Sequence, residues 1–465
     1  MAMTGVLLGM GNPLLDISNT VDEEVMKKYE LKAGDAILAE DKHQPLFKEM
    51  VEKEGTEYIA GGATQNSIRV AQWMLGKKGA TSYMGCVGDD DNAKTMKDSC
   101  DKAGVTAVYM TDKDTVTGTC AVLIMDKERS LVTNLAAANN YKVDHLKENM
   151  SVLETAKVVY SAGFFITVCP DAIETCAKHC NESGKTYCMN LSAPFIMEVP
   201  PFKAVLTKTM PFIDVLFGNE TEAAVFAKTE GWSETDVKEI AKKLSLLPKE
   251  GDVPRKVVIT QGADPTIVAI KGEVTEYPVI TLPKHKLVDT NGAGDAYVGG
   301  FLSGLVQDKD MTYCCSAGAY AASVIVQRSG CSYPAKPSFR PPAPLRKPKF
   351  TKIDKITPDM RGLNLMVKVV KVSEVSEGLS EAVCGDDKGV VTFRLRGEQA
   401  KVCTVGTVLR AQNARVNMFN GFIRVEVDKW GKLAPAAEDT PGGKPEFEVC
   451  ETTNMSAVEY ELAEA

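Results

Sequence analysis

The stretch Leu287-Val288-Asp289-Thr290-Asn291-Gly292-Ala293-Gly294-Asp295-Ala296-Tyr297 decides the fold of most of the chain. It predicts a short apolar strand, a tight Gly-Ala-Gly turn, and a helix that opens with an aspartate. Small residues let backbone N–H groups converge at the positive end of the helix dipole, which makes an anion cradle. At its rim, Asp295 would lie near a bound phosphate and accept a proton from an attacking hydroxyl. A glycine-capped loop before a core helix is the simpler alternative, and the turn alone is compatible with both.

Two further motifs precede this stretch. Residues 60–67 read Ala-Gly-Gly-Ala-Thr-Gln-Asn-Ser, a di-glycine turn with an asparagine on the helix that follows. Asn219-x-x-Glu222 follows the predicted apolar strand Phe212–Phe217. In this order, the three motifs resemble the signatures of the ribokinase-like carbohydrate kinases. The resemblance runs from about residue 5 to residue 339.

The sequences of several segments resemble the adenosine-specific branch of that family. These segments are Gly11–Ile17, Gln65–Trp73, Ser130-Leu131, Ala136–Asn139 and Asn190–Phe195. The resemblance implies ATP-dependent phosphorylation of the adenosine 5′-hydroxyl, which gives AMP and ADP in purine salvage. Two alternatives stay open: another sugar or nucleoside kinase of the family, and a nucleic-acid-binding scaffold whose kinase domain is inactive.

The resemblance also assigns roles to residues, because phosphoryl transfer depends on positioning and charge neutralisation. Asp295 would be the general base, with Gly292, Ala293, Gly294 and Arg129 acting on the transferring phosphoryl group. The residues that would bind adenosine are Asn12, Asp16, Gly62, Asn66, Leu131, Phe164 and Asn291. Those on the nucleotide side would be Asn219, Glu222, Thr260 and Gly262. Each has a plainer alternative: Asp295 as a helix N-cap, Asp16 as a turn residue, Arg129 as an exposed cation, and Leu131 and Phe164 as core.

Asn219 and Glu222 are expected to order Mg²⁺ through water, because magnesium gives up its water ligands reluctantly. ATP would be the co-substrate. A requirement for a monovalent cation stays open.

The composition limits the classes of protein to which the chain can belong. The chain has 465 residues, 44% hydrophobic and 25% charged, with a formal net charge of −8. No apolar run reaches the roughly 18 residues of a membrane span, and no basic leader is visible, so we expect neither membrane nor secretory targeting. Thirteen scattered cysteines suit free thiols in a reducing compartment. We therefore expect a cytoplasmic monomer, with the nucleus as a second compartment.

Strand and helix patterns alternate through residue 330, which predicts an α/β sandwich with a mostly parallel sheet. Ligands bind beyond the carboxyl ends of such strands. Residues 119–125 and 131–134 are strand-like without an intervening helix, and the resemblance makes them part of a small β lid over the substrate. The predicted kinase domain is residues 1–339, and a proline-rich basic linker follows at residues 340–350.

After the linker, the pattern is β only. Five strand-like segments within residues 351–435 predict a small barrel. Residues 356–365, 389–393, 405–408 and 419–422 resemble OB-fold single-stranded-DNA-binding proteins of the SOSS type. Residues 436–465 are an acidic tail with one lysine and eight acidic residues.

The barrel segment is basic, with 14 lysines and arginines against 10 acidic residues in 351–435. OB-folds hold single strands with a basic groove and aromatic platforms. We therefore expect single-stranded DNA or RNA as a partner, with Arg394, Arg396 and Phe419 contributing. Phe393, Phe422 and Trp430 are further candidate platforms, but core packing explains any single aromatic equally well. The acidic tail is expected to compete for the same groove.

Overall fold

A computed structural model describes residues 3–32, 36–125, 128–341, 349–376, 378–428, 431–437 and 445–461; within these ranges it does not describe the side chains of Ala36, Glu128, Arg129 and Lys284. The chain separates into two compact units, Met1–Pro342 and Ala343–Ala465. The described residues contain no helix that is long and apolar enough to cross a membrane.

Unit 1 alternates strands and helices. Its strands are β1 Leu7–Met10, β2 Leu14–Thr20, β3 Ala36–Leu38, β4 Glu57–Gly61, β5 Thr81–Gly88, β6 Thr106–Asp112, β7 Thr119–Met125, β8 Glu128–Asn134, β9 Val158–Ala162, β10 Thr186–Asn190, β11 Val215–Asn219, β12 Lys256–Gln261, β13 Asp264–Ile270 and β14 Glu273–Tyr277. Its helices are α1 Glu23–Lys28, α2 Gln44–Glu52, α3 Ala63–Leu75, α4 Asp91–Ala103, α5 Val143–Glu148, α6 Met150–Thr155, α7 Pro170–Glu182, α8 Pro194–Glu198, α9 Pro200–Thr209, α10 Glu220–Thr229, α11 Val237–Leu246, α12 Ala293–Leu305 and α13 Met311–Ile325.

Nine strands form the large sheet in the order β14-β13-β12-β11-β10-β9-β1-β5-β6. All neighbours from β12 to β6 run parallel, while β13 and β14 add an antiparallel edge. Every residue of β5 is buried, as expected for a strand covered on both faces. Tyr83 and Tyr160 pack with α3, α12 and α13 on one face, and Met84 and Tyr187 pack with α7 on the other.

The lid is a second sheet of five strands in the order β3-β8-β7-β2-β4. Its own core contains Ile17, Leu46 and Leu123, so the lid buries apolar surface separately from the body. The prediction of an α/β sandwich with a mostly parallel sheet and a small β lid is therefore confirmed.

Unit 2 is a small closed barrel. Its elements are β15 Leu363–Ser376, β16 Leu379–Gly385, β17 Val390–Arg396, α14 Glu398–Val402, β18 Val408–Phe419, β19 Phe422–Glu426 and β20 Lys432–Pro435. The strand order is β15-β16-β17-β19-β18-β20, and β15 also pairs with β18, which closes the sheet on itself. The five predicted strands are present, so the predicted all-β barrel is confirmed, and β20 is an additional strand.

The described part of the acidic tail packs on this barrel. The Val390 N–H donates to the Thr453 carbonyl at 2.8 Å, and the Tyr460 N–H donates to the Gly421 carbonyl at 2.8 Å. Ser456 is buried between β17 and β19: its hydroxyl accepts from the Thr392 N–H at 2.9 Å and donates to the Ile423 carbonyl at 2.8 Å. The tail thus supplies hydrogen bonds where β17 and β19 diverge.

Candidate active site

A cavity of about 560 Å³ lies between the lid and the carboxyl ends of the large sheet. Gly292 and the predicted base Asp295 line it together with all seven predicted adenosine-site residues, which are Asn12, Asp16, Gly62, Asn66, Leu131, Phe164 and Asn291. The body and the lid both contribute to its wall. The cavity therefore brings together residues that are up to about 280 positions apart in the chain.

At the floor of the cavity, Asn66 meets Asp295. Asn66 lies in the first turns of α3, and its Nδ2 donates to Asp295 Oδ2 at 3.1 Å. Desolvation raises the pKa of Asp295 to about 6, and the hydrogen bond from Asn66 acts in the opposite direction. A carboxylate with a pKa close to neutrality is well suited to accept a proton and release it again.

Asp16 approaches the cavity from β2. Strand β4 pairs with β2 and ends at Gly61, where a Cβ atom would lie 2.4 Å from both carboxylate oxygens of Asp16. The next glycine, Gly62, has φ +93°, and a Cβ atom there would lie 2.2 Å from the Asn12 carbonyl oxygen. The di-glycine turn is therefore required by close approach of two chain segments, and it leaves room for the Asp16 carboxylate.

Two side-chain oxygens in the cavity wall are buried and have no hydrogen-bond partner among the described residues: Asn12 Oδ1 and Asn66 Oδ1. Burying a polar atom without a partner costs free energy. Both atoms belong to residues that line the cavity. They are acceptors suited to hydroxyl or amino hydrogens of a polar ligand.

The Gly-Ala-Gly turn forms the start of α12. Gly292 is its N-cap with φ +73°, in the left-handed region that favours glycine. The first N–H groups of a helix lack intrahelical partners and lie at the positive end of its dipole. The Ala293 N–H makes a 3.3 Å contact with the Thr290 carbonyl, and Gly294 is exposed with open space around its Cα. The turn can therefore present donors to an anion.

The predicted strand before this turn is wrong. Leu287 and Val288 are 39% and 51% exposed and belong to no strand. The N–H groups of Val288 and Asp289 both donate to the Val326 carbonyl at the end of α13, which replaces sheet pairing. Asp289 is buried instead, and its carboxylate accepts from the Asn291 and Gly330 N–H groups at 2.9 Å each.

Asn219 and Glu222 form a capping box at the start of α10. Asn219 Oδ1 accepts from the Glu222 N–H at 2.8 Å, and the Glu222 carboxylate accepts from the Asn219 Nδ2 and N–H at 2.9 and 3.0 Å. Burial is the main cause that raises the pKa of Glu222 to about 7; the hydrogen bond from the Asn219 N–H opposes this shift, and the negative charges of Glu220 and Asp295 add to it.

This geometry fits a divalent cation held through water. The facing oxygens of Asn219 and Glu222 are already used by each other, and the described residues contain no group of three or more His, Cys, Asp or Glu that suits direct ligation. Magnesium keeps several of its waters in such sites. A nearby cation would also stabilise the ionised form of Glu222.

Three other predicted residues lie elsewhere or outside the description. Thr260 is the register partner of Asn219 in the neighbouring strand, at the carboxyl end of β12. Gly262 lies in the turn between β12 and β13, with φ +59°. Neither belongs to the described cavity wall. The Arg129 side chain lies outside the described residues; its backbone pairs with Ile124 in the lid.

The cavity wall also contains residues that the sequence analysis did not assign. They include Ile37, Leu38, Cys120, Phe195, Phe202 and Cys331. Phe195 packs between Phe164 and Phe202, with ring centroids 6.1 and 6.2 Å apart. The signal for Phe195 was available, because Asn190–Phe195 is one of the segments that carried the resemblance.

Comparison with known proteins identifies the family of unit 1. The model of the pfkB family carbohydrate kinases matches residues 27–338. Adenosine kinase 2 of Arabidopsis thaliana is 57% identical over 338 residues, which is 72% of this chain and 97% of that protein. The chain belongs to the adenosine kinases of the pfkB family.

More distant relatives share the fold. Adenosine kinase of Saccharomyces cerevisiae is 40% identical over 340 residues, 72% of this chain and 98% of that protein. The crystal structure of Anopheles gambiae adenosine kinase in complex with P1,P4-di(adenosine-5) tetraphosphate matches at 44% identity and TM-score 0.69, covering 72% of this chain and 99% of that one. The model of the single-stranded DNA binding protein Ssb-like OB fold matches residues 356–435, within unit 2.

Proposed function

We propose that unit 1 transfers the γ-phosphoryl group of ATP to the 5′-hydroxyl of adenosine. The observation that carries the proposal is the meeting of Asp295, Asn66 and the start of α12 at the floor of one cavity. Membership of the adenosine kinases supports adenosine as the acceptor. The Anopheles relative was solved with a ligand that joins two adenosines through four phosphates, which supports a nucleoside site beside a polyphosphate site.

In this proposal, adenosine is held by its ribose and its base. Asp16 accepts hydrogen bonds from the 2′- and 3′-hydroxyls, and Asn12 supplies a further acceptor. Charge-assisted bonds of this kind are stronger than neutral ones. Leu131 and Phe164 flank the base in the apolar part of the cavity. The 5′-carbon then points toward Asp295.

The chemical step moves one proton and one phosphoryl group. Asp295 accepts the proton of the 5′-hydroxyl while O5′ attacks the γ-phosphorus, and the bond from that phosphorus to the β–γ bridging oxygen breaks to release ADP. N–H groups of residues 292–294 hold the transferring oxygens at the helix N-terminus. Asn219 and Glu222 would hold Mg²⁺ through water, and the bound cation would neutralise phosphate charge. Arg129 would reach the phosphates from the lid.

An assay of ADP release with adenosine, inosine, ribose and fructose as acceptors tests this proposal. We expect adenosine to give by far the highest kcat/KM and the product to be AMP. Preference for ribose or fructose would favour a sugar kinase of the same family. No turnover of any acceptor would favour a scaffold with an inactive kinase domain.

We also propose that unit 2 binds single-stranded nucleic acid on the outer face of β16, β17, β19 and β18. The guanidinium carbon Cζ of Arg394 lies over the Phe419 ring, 4.0 Å from its centroid. Glu381 lies 3.8 Å from Arg394 and 3.3 Å from Arg424. One carboxylate thus serves two guanidinium groups, so the cluster keeps a net positive charge. Arginine planes can stack on bases and pair with phosphates.

The other predicted barrel residues differ in their surroundings. Arg396 is exposed at the end of β17. Phe393 is 1% exposed and belongs to the barrel core, so core packing accounts for it. Trp430 lies outside the described residues. Phe419 therefore suits a stacking platform beside Arg394 better than Phe393 does.

Fluorescence anisotropy of the full chain with a labelled oligonucleotide tests this second proposal. We expect binding that weakens steeply as salt rises and that falls about tenfold in Phe419→Ala, since one base–aromatic stack contributes about 1–3 kcal/mol. Met418→Ala is the matched control, because successive strand residues point to opposite faces. Absence of binding would leave a protein-interaction module as the better account.

A further inference from the structure

The lid joins the body through four short chain segments. They are residues 11–13 before β2, Gly62 after β4, residues 113–118 before β7, and Leu135 after β8. We call these four segments the hinge. Any movement of the lid relative to the body has to be absorbed there, because hinge residues take up the change in backbone angles.

Beside Thr117, residues 113–118 contact Leu135 and the start of β2, which follows hinge residues 11–13. The Val116 carbonyl accepts from the Ala137 N–H at 3.0 Å, just after Leu135, and the Gly118 carbonyl accepts from the Leu15 N–H at 2.9 Å. A Cβ atom at Gly118 would lie 2.6 Å from the Leu135 carbonyl oxygen and 2.8 Å from the Leu14 side chain. Residues 113–118, Leu135 and the start of β2 are therefore closely packed.

One carboxylate of the body fixes this point. Asp90 Oδ2 accepts from the Thr117 N–H at 2.7 Å, and Asp90 Oδ1 accepts from the Thr117 hydroxyl at 2.6 Å. The Thr117 hydroxyl also accepts from the Gly88 N–H at 3.0 Å, and Thr117 is 1% exposed. Asp90 is rooted in the body, because Oδ1 accepts from the Ala93 N–H at 2.8 Å as the N-cap of α4.

We propose that Asp90 is a positioning residue for phosphoryl transfer, which fixes the hinge through Thr117 so that the lid closes in register with the site. This inference rests on the proposed function of unit 1. Asp90 is absent from the described cavity wall, whereas Leu14 and Leu135 belong to it. Asp90 therefore acts through the hinge rather than on the substrate.

The effect follows from the population of the closed state. If the hinge point is loosened, the competent arrangement of the lid becomes a smaller fraction of the ensemble, and the apparent affinity for adenosine falls by that fraction. Saturating adenosine still draws the lid closed, so kcat changes less than KM. If Asp90 only capped α4, its substitution would lower the stability of the fold without raising KM more than it changes kcat.

Two variants weaken the contact between Asp90 and Thr117, and two others serve as controls. Thr117→Val removes the hydroxyl with little change of shape, and Asp90→Asn keeps an N-cap side chain but loses one of the two acceptors for Thr117. Thr117→Ser keeps the hydroxyl. Asp310→Asn alters the matched N-cap of α13, where Asp310 Oδ1 accepts from the Tyr313 N–H at 2.8 Å.

Steady-state kinetics and hydrogen exchange of the full chain are the test. We expect Thr117→Val and Asp90→Asn to raise the KM for adenosine about tenfold, with kcat within about threefold, as for a tenfold drop in competent fraction. Adenosine should slow amide exchange in Thr119–Met125 less in these variants than in the parent chain. Thr117→Ser and Asp310→Asn should keep the parent KM.

Two outcomes would overturn the inference. If KM is unchanged in Thr117→Val and Asp90→Asn and Tm is lowered as in Asp310→Asn, Asp90 is a helix cap alone. Adenosine turnover by the parent chain would in that case still support the proposed function. Absence of adenosine turnover in the parent chain would defeat the proposed function and this inference with it.

Discussion

Asn66 Nδ2 and Asp295 Oδ2 lie 3.1 Å apart although 229 residues separate them in the chain. The bond joins the first turns of α3 and α12, the two helices that follow the glycine-rich turns. It orients the Asp295 carboxylate and stabilises its ionised form. The two signature motifs of the sequence are therefore parts of one site.

This contact predicts the pH dependence of the reaction. Because the pKa of Asp295 is raised to about 6, kcat/KM should rise with pH through about 6 as the base ionises. Asn66→Ala removes the hydrogen bond that lowers this pKa, so the acid limb should move to higher pH. Ser67→Ala, which loses the hydrogen bond from the Ser67 hydroxyl to the Ala63 carbonyl, should leave the limb in place. If the acid limb of the kcat/KM profile does not move in Asn66→Ala, the effect of Asn66 on the pKa of Asp295 is contradicted.

The same shift has a consequence for stability. The folded state holds the Asp295 proton more tightly than the unfolded chain, whose carboxyl has the ordinary value of 3.8. The contribution of this group to the free energy of unfolding is therefore full below pH 4 and is lost as pH rises through about 6. Asp295→Asn should remove this component from a pH series of unfolding measurements, and an unchanged series would show that Asp295 does not titrate in this range.

Asp16→Ala should weaken adenosine binding. Two charge-assisted hydrogen bonds to the ribose are lost, each contributing about 1.5–3 kcal/mol, so the Kd for adenosine should rise by two orders of magnitude or more. Calorimetric titration measures it. The exposed Asp171→Ala variant on α7 should bind like the parent chain, and equal affinity in Asp16→Ala would remove Asp16 from the site.

Ser456→Ala should destabilise unit 2. The variant leaves the Thr392 N–H and the Ile423 carbonyl without their buried partner, which costs about 1–3 kcal/mol per group. Chemical unfolding followed by a probe in unit 2 should show this loss. Thr452→Ala, at an exposed position in the same segment, is the control. Equal stability of the two variants would mean that the Ser456 hydroxyl does not stabilise the barrel.

Local patterns predicted the regular elements well where apolar spacing was strong. Helices α12 and α3 follow the Gly-Ala-Gly turn and the di-glycine turn, as predicted. Helix α13 was not predicted, because its Cys, Ala, Gly and Ser residues are buried on most sides and leave no polar face to mark a period. The strand predicted from Phe212 begins at Val215, since Pro211 lies in a short 3₁₀ turn.

The site residues were predicted from sequence motifs. Motifs do not indicate the contacts between segments that are distant in the chain. Nothing local in the sequence indicates that Thr117 meets Asp90, or that Ser456 lies between Thr392 and Ile423. These bonds depend on how separate elements pack. Phe202 was missed because aromatic residues fill cores more often than they line cavities, whereas Phe195 lies in a segment that carried the resemblance and could have been assigned.

The measurement that tests the central claim most directly is single-turnover transfer from γ-labelled ATP to adenosine by Asp295→Asn. The variant keeps the shape of the side chain but cannot accept the 5′-hydroxyl proton. We predict a rate lower by about two to four orders of magnitude, with adenosine binding retained and the exposed Asp98→Asn variant at the parent rate. Transfer by Asp295→Asn at nearly the parent rate would contradict the account.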